Sequence, residues 1–340
     1  MDNDVTKKRL RAFARSGRAV VLRFVGWLLA PIMRYVAKYG YGVDSCLAHG
    51  FLPLPVHYYS PVPDVADLNR RRVWNKKSDL AGIDFRTDAQ VRLLIELGAR
   101  FGAECNFPDQ PTADESEFHL ANDNFSFGCA AALHSMIRRS RPSRVIEIGS
   151  GNSSKVIARA LNMNECNGVS SADYLIIDPY PTTLTRERLA GVSRVIPERV
   201  ELLNPSIFDE LCENDVLFVD SGHTVRIGGD VNFLFLDVLP RLAPGVVVHI
   251  HDVNLPFEYE REYAAGQPGT FRRLWTESYL LQAFLACNRD FEILLAMRYL
   301  MVEHADEFGR AFPLYTPARQ KSLSSSFWMK RVHTSQLHPA

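Results

Sequence analysis

Four short, almost wholly apolar runs constrain the fold of this chain more than any other feature of its sequence. The runs occupy residues 144–148, 174–177, 215–219 and 246–250. Apolar runs of this length are typical of strands that are buried on both faces. Helical patterns separate them and are clearest over residues 153–161 and 229–239. Strands that alternate with helices predict βαβ units, and therefore an α/β fold with a Rossmann-like, doubly wound and mostly parallel sheet.

Two further runs, 291–295 and 326–332, predict strands near the end of the chain. A long stretch precedes the last run, so that strand has room to join the sheet in the opposite direction. Before the first strand, apolar spacing predicts a helix over residues 86–101, and the four prolines in 50–64 predict extended, irregular chain. Residues 104–124 are polar and contain prolines, which predicts a loop.

The overall charge excludes one class of partner. The sequence has 39 basic and 39 acidic residues and a formal net charge of zero, so the chain as a whole is not attracted to nucleic acid. The six cysteines are scattered, without a Cys-x-x-Cys pair, and suggest neither a zinc site nor a disulfide framework. We therefore expect reduced thiols in a cytoplasmic protein.

The N-terminal segment is first basic and then apolar. Basic residues crowd positions 7–18, and the apolar stretch after them is interrupted by Arg23 and Arg34. The longest uncharged run, 24–33, is shorter than the roughly 20 residues of a membrane-spanning helix. The side chains that fall on one side of a helical wheel are Arg23, Trp27, Arg34 and Lys38. The pattern predicts either that residues 19–38 lie at the inner membrane surface, or that this helix packs on its own protein or on a second subunit.

A glycine turn follows the first predicted strand and carries the cofactor prediction. Gly149 and Gly151 let the backbone turn sharply and approach a ligand closely, at the sheet edge where open parallel sheets bind ligands. A dinucleotide fingerprint requires a third glycine where this chain has Ser154, and the Gly-Lys-Ser/Thr of a Walker loop is absent. The carboxylate of Glu147 instead suits the ammonium group of S-adenosylmethionine. The second strand ends at Asp178, which is placed to accept both ribose hydroxyls; the alternative is a glycine turn in another kind of α/β enzyme.

The order of these motifs resembles class I S-adenosylmethionine-dependent methyltransferases and, within them, the bacterial methyltransferase family 24. The resemblance is carried by Glu147, Gly149, Gly151, Asp178 and the segments 216–220 and 239–245. It covers residues 124–332, and the segments 57–61 and 125–128 also look like chain that precedes the catalytic core in that family. Two features depart from the pattern, namely Ser153 in place of a glycine and an insertion before Asp178.

The resemblance implies a seven-stranded sheet whose last strand is antiparallel. We accordingly predict an N-terminal extension over residues 1–115 and a methyltransferase domain over 116–335. It implies that Glu147, Gly149 and Gly151 face the methionine part of S-adenosylmethionine and that Asp178 binds the ribose. Ser126 and Ser153 join them in the predicted cofactor site.

Acidic and imidazole side chains follow the next two strands and predict a chemical site. Asp220 and His223 come after the third apolar run, while His251 and Asp252 end the fourth. Alternation along a strand places His249 and His251 on one face. We expect Asp220, His251 and Asp252 to converge as ligands of a divalent metal that would lower the pKa of a substrate hydroxyl. Metal-dependent catechol-type O-methyltransferases resemble this arrangement but have Asp-Asn where this chain has His251-Asp252, which favours a zinc-like over a magnesium-like ion.

Other interpretations of this cluster remain open. His223 could act as a general base without a metal, since an imidazole titrates near neutral pH. Asp220 could merely accept hydrogen bonds from loop amides, and His249 could be a core histidine. We expect at least one of Asp220, His223 and His251 to be catalytic.

The sequence therefore predicts an S-adenosylmethionine-dependent methyltransferase that O-methylates a small molecule, such as a sugar or a lipid-linked acceptor. One alternative keeps the fold but makes the Asp/His cluster a metal-dependent hydroxylase site. Another is a non-catalytic partner module that docks through its N-terminal extension. A homo-oligomer is compatible with each of these functions.

Overall fold

The computed structural model describes residues 2–187, 189–267, 271–316, 319 and 323–332. The chain divides into two compact units, Met1–Arg71 and Arg72–Ala340.

The first unit consists of helices and irregular chain. Its helices are α1 (Asp2–Tyr39), α2 (Val43–Ala48) and α3 (Val65–Arg70). The segment Gly17–Tyr39 of α1 is exposed and is long and apolar enough to cross a membrane, judged by length and composition alone. This apolar segment is longer than the uncharged run 24–33, because it continues past the charged residues at both ends of that run. The prediction that residues 19–38 contact a membrane surface stays a prediction.

The second unit is built on one seven-stranded sheet. Its strands are β1 (Arg144–Ile148), β2 (Asp173–Ile177), β3 (Arg194–Ile196), β4 (Val216–Val219), β5 (Val247–Ile250), β6 (Phe291–Ala296) and β7 (Phe327–Arg331). They lie in the order β3-β2-β1-β4-β5-β7-β6, and β7 is antiparallel to both of its neighbours. The predicted α/β class, with a mostly parallel sheet and an antiparallel last strand, is confirmed.

Helices cover both faces of the sheet. They are α4 (Thr87–Phe101), α5 (Phe127–Ser140), α6 (Asn152–Cys166), α7 (Thr183–Glu187), α8 (Asp230–Phe233), α9 (Arg261–Ala265), α10 (Glu277–Leu285), α11 (Met297–Glu303) and α12 (Ala305–Ala311). After α8 the chain continues as a π-helix, Leu234–Val238, so the helix predicted over 229–239 is present but changes its winding. Two separate apolar clusters form the core, one on each face, as a doubly wound sheet requires.

The boundary between the units lies earlier than the predicted boundary at residue 115. Leu94 and Leu97 of α4 are fully buried in the core on one face of the sheet, together with Phe107 and Phe118 of the following loop. Residues 72–115 therefore belong to the compact unit that contains the sheet. Sequence patterns did not show this, because an amphipathic helix has the same apolar spacing whichever surface it covers.

The parallel strands determine where a site can form. β1, β2, β4 and β5 all run in one direction, so their carboxyl ends lie along the same edge of the sheet. Gly149, Asp178, Asp220 and His251 directly follow these four strands. The structure thus brings together, at one edge, the residues from which the sequence predicted a site.

Candidate active site

Gly149 is fixed by the close approach of two strand ends. Its φ is +81°, in the left-handed region, and a Cβ atom at this position would lie 1.9 Å from the backbone oxygen of Asp220. Its N–H donates to the Ile177 carbonyl at 3.0 Å. A Cβ atom at Gly151, by contrast, would meet no atom within 4 Å. Gly149 therefore holds the turn against β4, while Gly151 leaves open space beside the turn.

Glu147 lies beneath the turn and is fully buried. Its carboxylate accepts hydrogen bonds from the Ser153 hydroxyl, at 2.6 Å, and from the Tyr174 hydroxyl. Burial raises the pKa of Glu147 to about 7, although the hydroxyl donors oppose the shift. Ser153, but not Glu147, lines the cavity described below. The carboxylate thus ties the first turn of α6 to β2, and its direct contact with a methionine ammonium stays a prediction.

Asp178 is held at the end of β2 by the glycine turn. One carboxylate oxygen accepts from the backbone N–H and the hydroxyl of Ser150, at 2.9 and 2.5 Å. The other accepts from the Tyr180 N–H at 2.8 Å. The carboxylate lines the cavity in a fixed orientation. Its predicted contact with ribose hydroxyls is compatible with this position.

Ser126 precedes α5 and caps its N-terminus. Its Oγ accepts from the Cys129 N–H at 3.4 Å and lies 3.3 Å from the Ser324 Oγ. Ser126 and Cys129 both line the cavity. The structure therefore places Ser126 with the other predicted cofactor residues.

A cavity of about 580 Å³ opens at this edge of the sheet. Its lining includes the glycine turn, Asp178, the Ser126 region, and Asp220, His251 and Asp252. A wall formed by Glu260, Tyr263, Arg273, Trp275 and Arg298 completes it. The size suits a cofactor together with part of a small acceptor.

Two aspartates and two histidines form a cluster at this end of the cavity, where Asp220, His251 and Asp252 line it and His223 lies buried behind them. His223 Nε2 lies 3.1 Å from Asp220 Oδ1 and 3.7 Å from Asp252 Oδ2. His251 Nδ1 lies 3.5 Å from Asp220 Oδ2 and 3.6 Å from Asp252 Oδ1. His223 and Asp252 both have positive φ, of 55° and 56°, a strained conformation that is often found at functional sites.

The aspartates and histidines of this cluster shift one another's pKa values. Burial alone would raise the pKa of Asp220, but His251 and His223 outweigh burial and hold that pKa well below its ordinary value. Burial would lower the pKa of His223, but hydrogen bonds to Asp220 and Glu277 raise it to about 10. His223 is therefore protonated near neutral pH when no metal is bound. This weighs against His223 as a metal-free general base.

Three side chains of this cluster lie close enough together to hold one ion. Among the described residues, ligand atoms of Asp220, His223 and Asp252 all lie within 4.8 Å of one another. The predicted set had His251 in place of His223; His251 Nδ1 also lies within 3.6 Å of both carboxylates, and its ring stacks on Phe125, with centroids 4.9 Å apart. Alternation along β5 could place His251 at the edge, but it could not show that the loop after β4 folds His223 back between the two carboxylates.

Glu277, at the start of α10, was not predicted as a site residue. It is fully buried, and its Oε2 lies 2.8 Å from His223 Nδ1. A carboxylate on the second ring nitrogen fixes the tautomer and orientation of a histidine whose other nitrogen binds a metal. The sequence offered no spacing signal, because Glu277 lies far along the chain from His223.

His249 lies behind the cluster and is fully buried. Its ring stacks on Phe218, with centroids 4.2 Å apart, and lies 5.8 Å from the His251 ring, as the alternation predicts. Burial lowers its pKa, so it is neutral. Neither ring nitrogen has a hydrogen-bond partner among the described residues. The placement favours the interpretation of His249 as a core histidine.

The seven-stranded sheet, with its antiparallel last strand and a glycine turn after β1, is similar to that of class I methyltransferases. Residues 146–253 match the model of methyltransferase family 24, which is described as a methyltransferase domain. The matched segment runs from β1 past β5 and so contains the glycine turn, Asp178 and the Asp/His cluster. The predicted resemblance to this family is confirmed.

Individual proteins are similar over parts of the chain. An uncharacterized protein of Archaeoglobus fulgidus is 28% identical over 167 residues, which cover 47% of this chain and 74% of that protein. The plantazolicin methyltransferase BamL, solved with a triazolic desmethylPZN analog and SAH, is 10% identical with a TM-score of 0.36, over 74% of this chain and 100% of that one. The apo structure of CmcI-N160 is 15% identical with a TM-score of 0.35, over 61% and 72% of the two chains.

Proposed function

We propose that this enzyme transfers the methyl group of S-adenosylmethionine to a hydroxyl oxygen of a small molecule, such as a sugar or a lipid-linked acceptor. The observation that carries the proposal is the Asp220–His223–Asp252 cluster, which lies beside the glycine turn. A hydroxyl must lose its proton when it accepts a methyl cation, so this reaction needs carboxylate or metal assistance close to the cofactor. Transfer to an already nucleophilic sulfur or a neutral amine would not need such a cluster.

We further propose that Asp220, His223 and Asp252 bind a divalent cation. The donor set fits, since Glu277 orients His223 so that Nε2 faces the two carboxylates. When bound, the cation would supply Lewis acidity toward the acceptor hydroxyl. The imidazole favours a zinc-like over a magnesium-like ion. The Ser325 hydroxyl donates to Asp252 at 2.8 Å and orients that carboxylate.

A direct test uses methyl-labelled S-adenosylmethionine, a panel of hydroxylated acceptors, and protein prepared with and without chelator. We expect chelation and Asp252→Asn to abolish transfer while cofactor affinity, measured by calorimetry, stays nearly unchanged. Asp209→Asn, at an exposed ion pair with Arg241, is the control. Full transfer after complete chelation would contradict the metal proposal. Tight cofactor binding without transfer to any hydroxyl would contradict O-methylation, and the absence of cofactor binding would favour the hydroxylase or partner-module alternatives.

We propose in addition that the protein is cytoplasmic and that α1 contacts the inner membrane surface. Trp27 is 73% exposed, and Arg23, Arg34 and Lys38 lie within the exposed apolar segment. Anionic lipids attract such basic residues, each by about 1 kcal/mol. The full-length protein should bind anionic but not zwitterionic vesicles at low salt, and Arg23→Glu combined with Arg34→Glu should release it. If the unaltered protein ignores anionic vesicles at low salt, the helix has a structural role instead.

A further inference from the structure

We propose that Arg273 and Arg298 form an anion subsite, which holds a carboxylate or phosphate group of the methyl acceptor beside the reacting hydroxyl. That the bound anion belongs to a methyl acceptor rests on the proposed function, but the geometry of the two arginines does not depend on the reaction. It narrows the acceptor from any hydroxylated small molecule to a negatively charged one.

Arg298 is a buried cation with unused hydrogen-bonding capacity. It is 7% exposed and still lines the cavity. One of its terminal nitrogens donates to Glu260 at 2.5 Å and to Asn254 at 3.0 Å, which fixes the guanidinium in place. Its Nε–H is buried and has no acceptor among the described residues. An unpartnered buried donor is costly, and it marks a guanidinium whose hydrogen-bonding capacity Glu260 and Asn254 leave partly unused. An anion in the cavity would meet this guanidinium where it lines the wall.

Arg273 adds a second cation to the same wall. Its guanidinium carbon lies 5.1 Å from the ring centroids of both Tyr263 and Trp275, whose rings meet edge to face at 4.8 Å. Within the part of the chain that the structure describes, no carboxylate forms an ion pair with it, whereas Arg298 is paired with Glu260. The wall therefore carries two guanidinium groups but only one carboxylate, Glu260, and has one unbalanced positive charge among its described residues.

The wall lies on the acceptor side of the cavity. Arg298 follows β6, which is at the opposite edge of the sheet from β2 and β3. The Trp275 ring lies 4.5 Å from the His223 ring, so the Asp/His cluster adjoins the aromatic wall. Asp178, the predicted ribose ligand, follows β2 on the other side of the cluster. An anion at Arg273 and Arg298 would thus belong to the molecule that receives the methyl group rather than to the cofactor.

The shared chemistry is a planar or tetrahedral oxyanion, which a guanidinium can bind with two parallel hydrogen bonds. A sugar acid would present a carboxylate, and a sugar phosphate or phospholipid-linked sugar would present a phosphate. Glucuronate, glucose 6-phosphate and uncharged glucose share one scaffold and serve as probes of the two sources.

The experiment measures the binding of these three probes to the full-length protein saturated with S-adenosylhomocysteine, by ligand-observed NMR and calorimetry. We expect at least one anionic probe to bind roughly 10- to 100-fold more tightly than glucose, as the loss or gain of a charged hydrogen bond implies. The anion that binds more tightly shows whether the subsite prefers the carboxylate of a sugar acid or the phosphate of a sugar phosphate. Arg273→Gln and Arg298→Lys should reduce the preference, while Arg272→Gln, at the exposed neighbouring position, should retain it.

Further measurements separate the possible failures. The Nε–H resonance of Arg298 should shift on titration with the preferred anion, while that of Arg138, buried elsewhere against Glu104, should not. The proposal is wrong if neither anion binds better than glucose. It is also wrong if the variants weaken S-adenosylmethionine binding as much as anion binding, because the arginines would then hold the cofactor's own carboxylate. Anion preference without methyl transfer would support the subsite and contradict the proposed function.

Discussion

Replacing Gly149 by alanine tests how the turn and the cluster are coupled. The added Cβ would lie 1.9 Å from the Asp220 carbonyl oxygen, whereas ordinary contact begins at 3.4 Å. The backbone would have to separate by about 1.5 Å, and overpacking of this kind costs about 1–3 kcal/mol. The positive φ adds about 1–3 kcal/mol for a residue that has a side chain. We expect a total destabilisation of about 2–6 kcal/mol, a large part of the stability of a typical domain.

The matched control is Gly151→Ala in the same turn, where the new methyl group would meet no atom within 4 Å. This variant should unfold like the unaltered protein but bind S-adenosylmethionine more weakly, because the methyl group occupies open space in the turn. Urea unfolding followed by circular dichroism, together with calorimetric titration of the cofactor, measures both quantities. If Gly149→Ala unfolds within about 0.5 kcal/mol of the unaltered protein, the proposed coupling of Gly149 to Asp220 is wrong.

Three further outcomes follow from single contacts. Glu277→Gln should lower metal affinity and methyl transfer by about 10- to 100-fold with little change in cofactor affinity, because the carboxylate partner of His223 is lost; a proportional loss of cofactor affinity would show a general structural role. Asp252→Asn should remove the response of activity to added divalent cation, as activity titrations with and without chelator will show. Burial alone would raise the pKa of Glu104, but hydrogen bonds from Arg138 and His134 outweigh burial and lower that pKa. Ionised Glu104 therefore stabilises the fold at pH values above its ordinary pKa of 4.5, and this contribution is lost as the pH falls below 4.5. The difference in unfolding free energy between the unaltered protein and Glu104→Gln should therefore shrink in acid, and a difference that grows would contradict the assignment.

The fold was predictable from sequence where strands are buried on both faces. Runs such as 144–148 and 246–250 are apolar because helices cover both sides of them, and the observed strands begin and end within one residue of the predicted limits. β3 was missed because it has three residues, lies at the sheet edge and is only partly buried. So short a strand shows neither a continuous apolar run nor a measurable alternation.

The candidate site was predictable only where residues directly follow strands. Gly149, Asp178 and Asp220 meet because parallel strands end at one edge, which the sequence order implies. Glu277 contacts His223 from the start of α10, and Arg298 lines the cavity from α11, after β6. No local pattern distinguishes these two residues from other charged residues. The placement of His223 beside Asp220 was equally hidden from sequence, since it depends on the loop after β4, where His223 has a positive φ.

We propose that the turn after β1 and the carboxylate after β2 bind S-adenosylmethionine. Calorimetric titration of the unaltered protein, of Asp178→Asn and of the control Asp173→Asn measures this binding. Asp173 lies at the exposed start of the same strand, paired with Arg144 at 3.3 Å. We expect binding by the unaltered protein and the control, and a loss of roughly 1.5–3 kcal/mol of binding free energy in Asp178→Asn, the typical contribution of hydrogen bonds to a charged group. No binding by the unaltered protein, or equal affinity in all three proteins, would contradict the account.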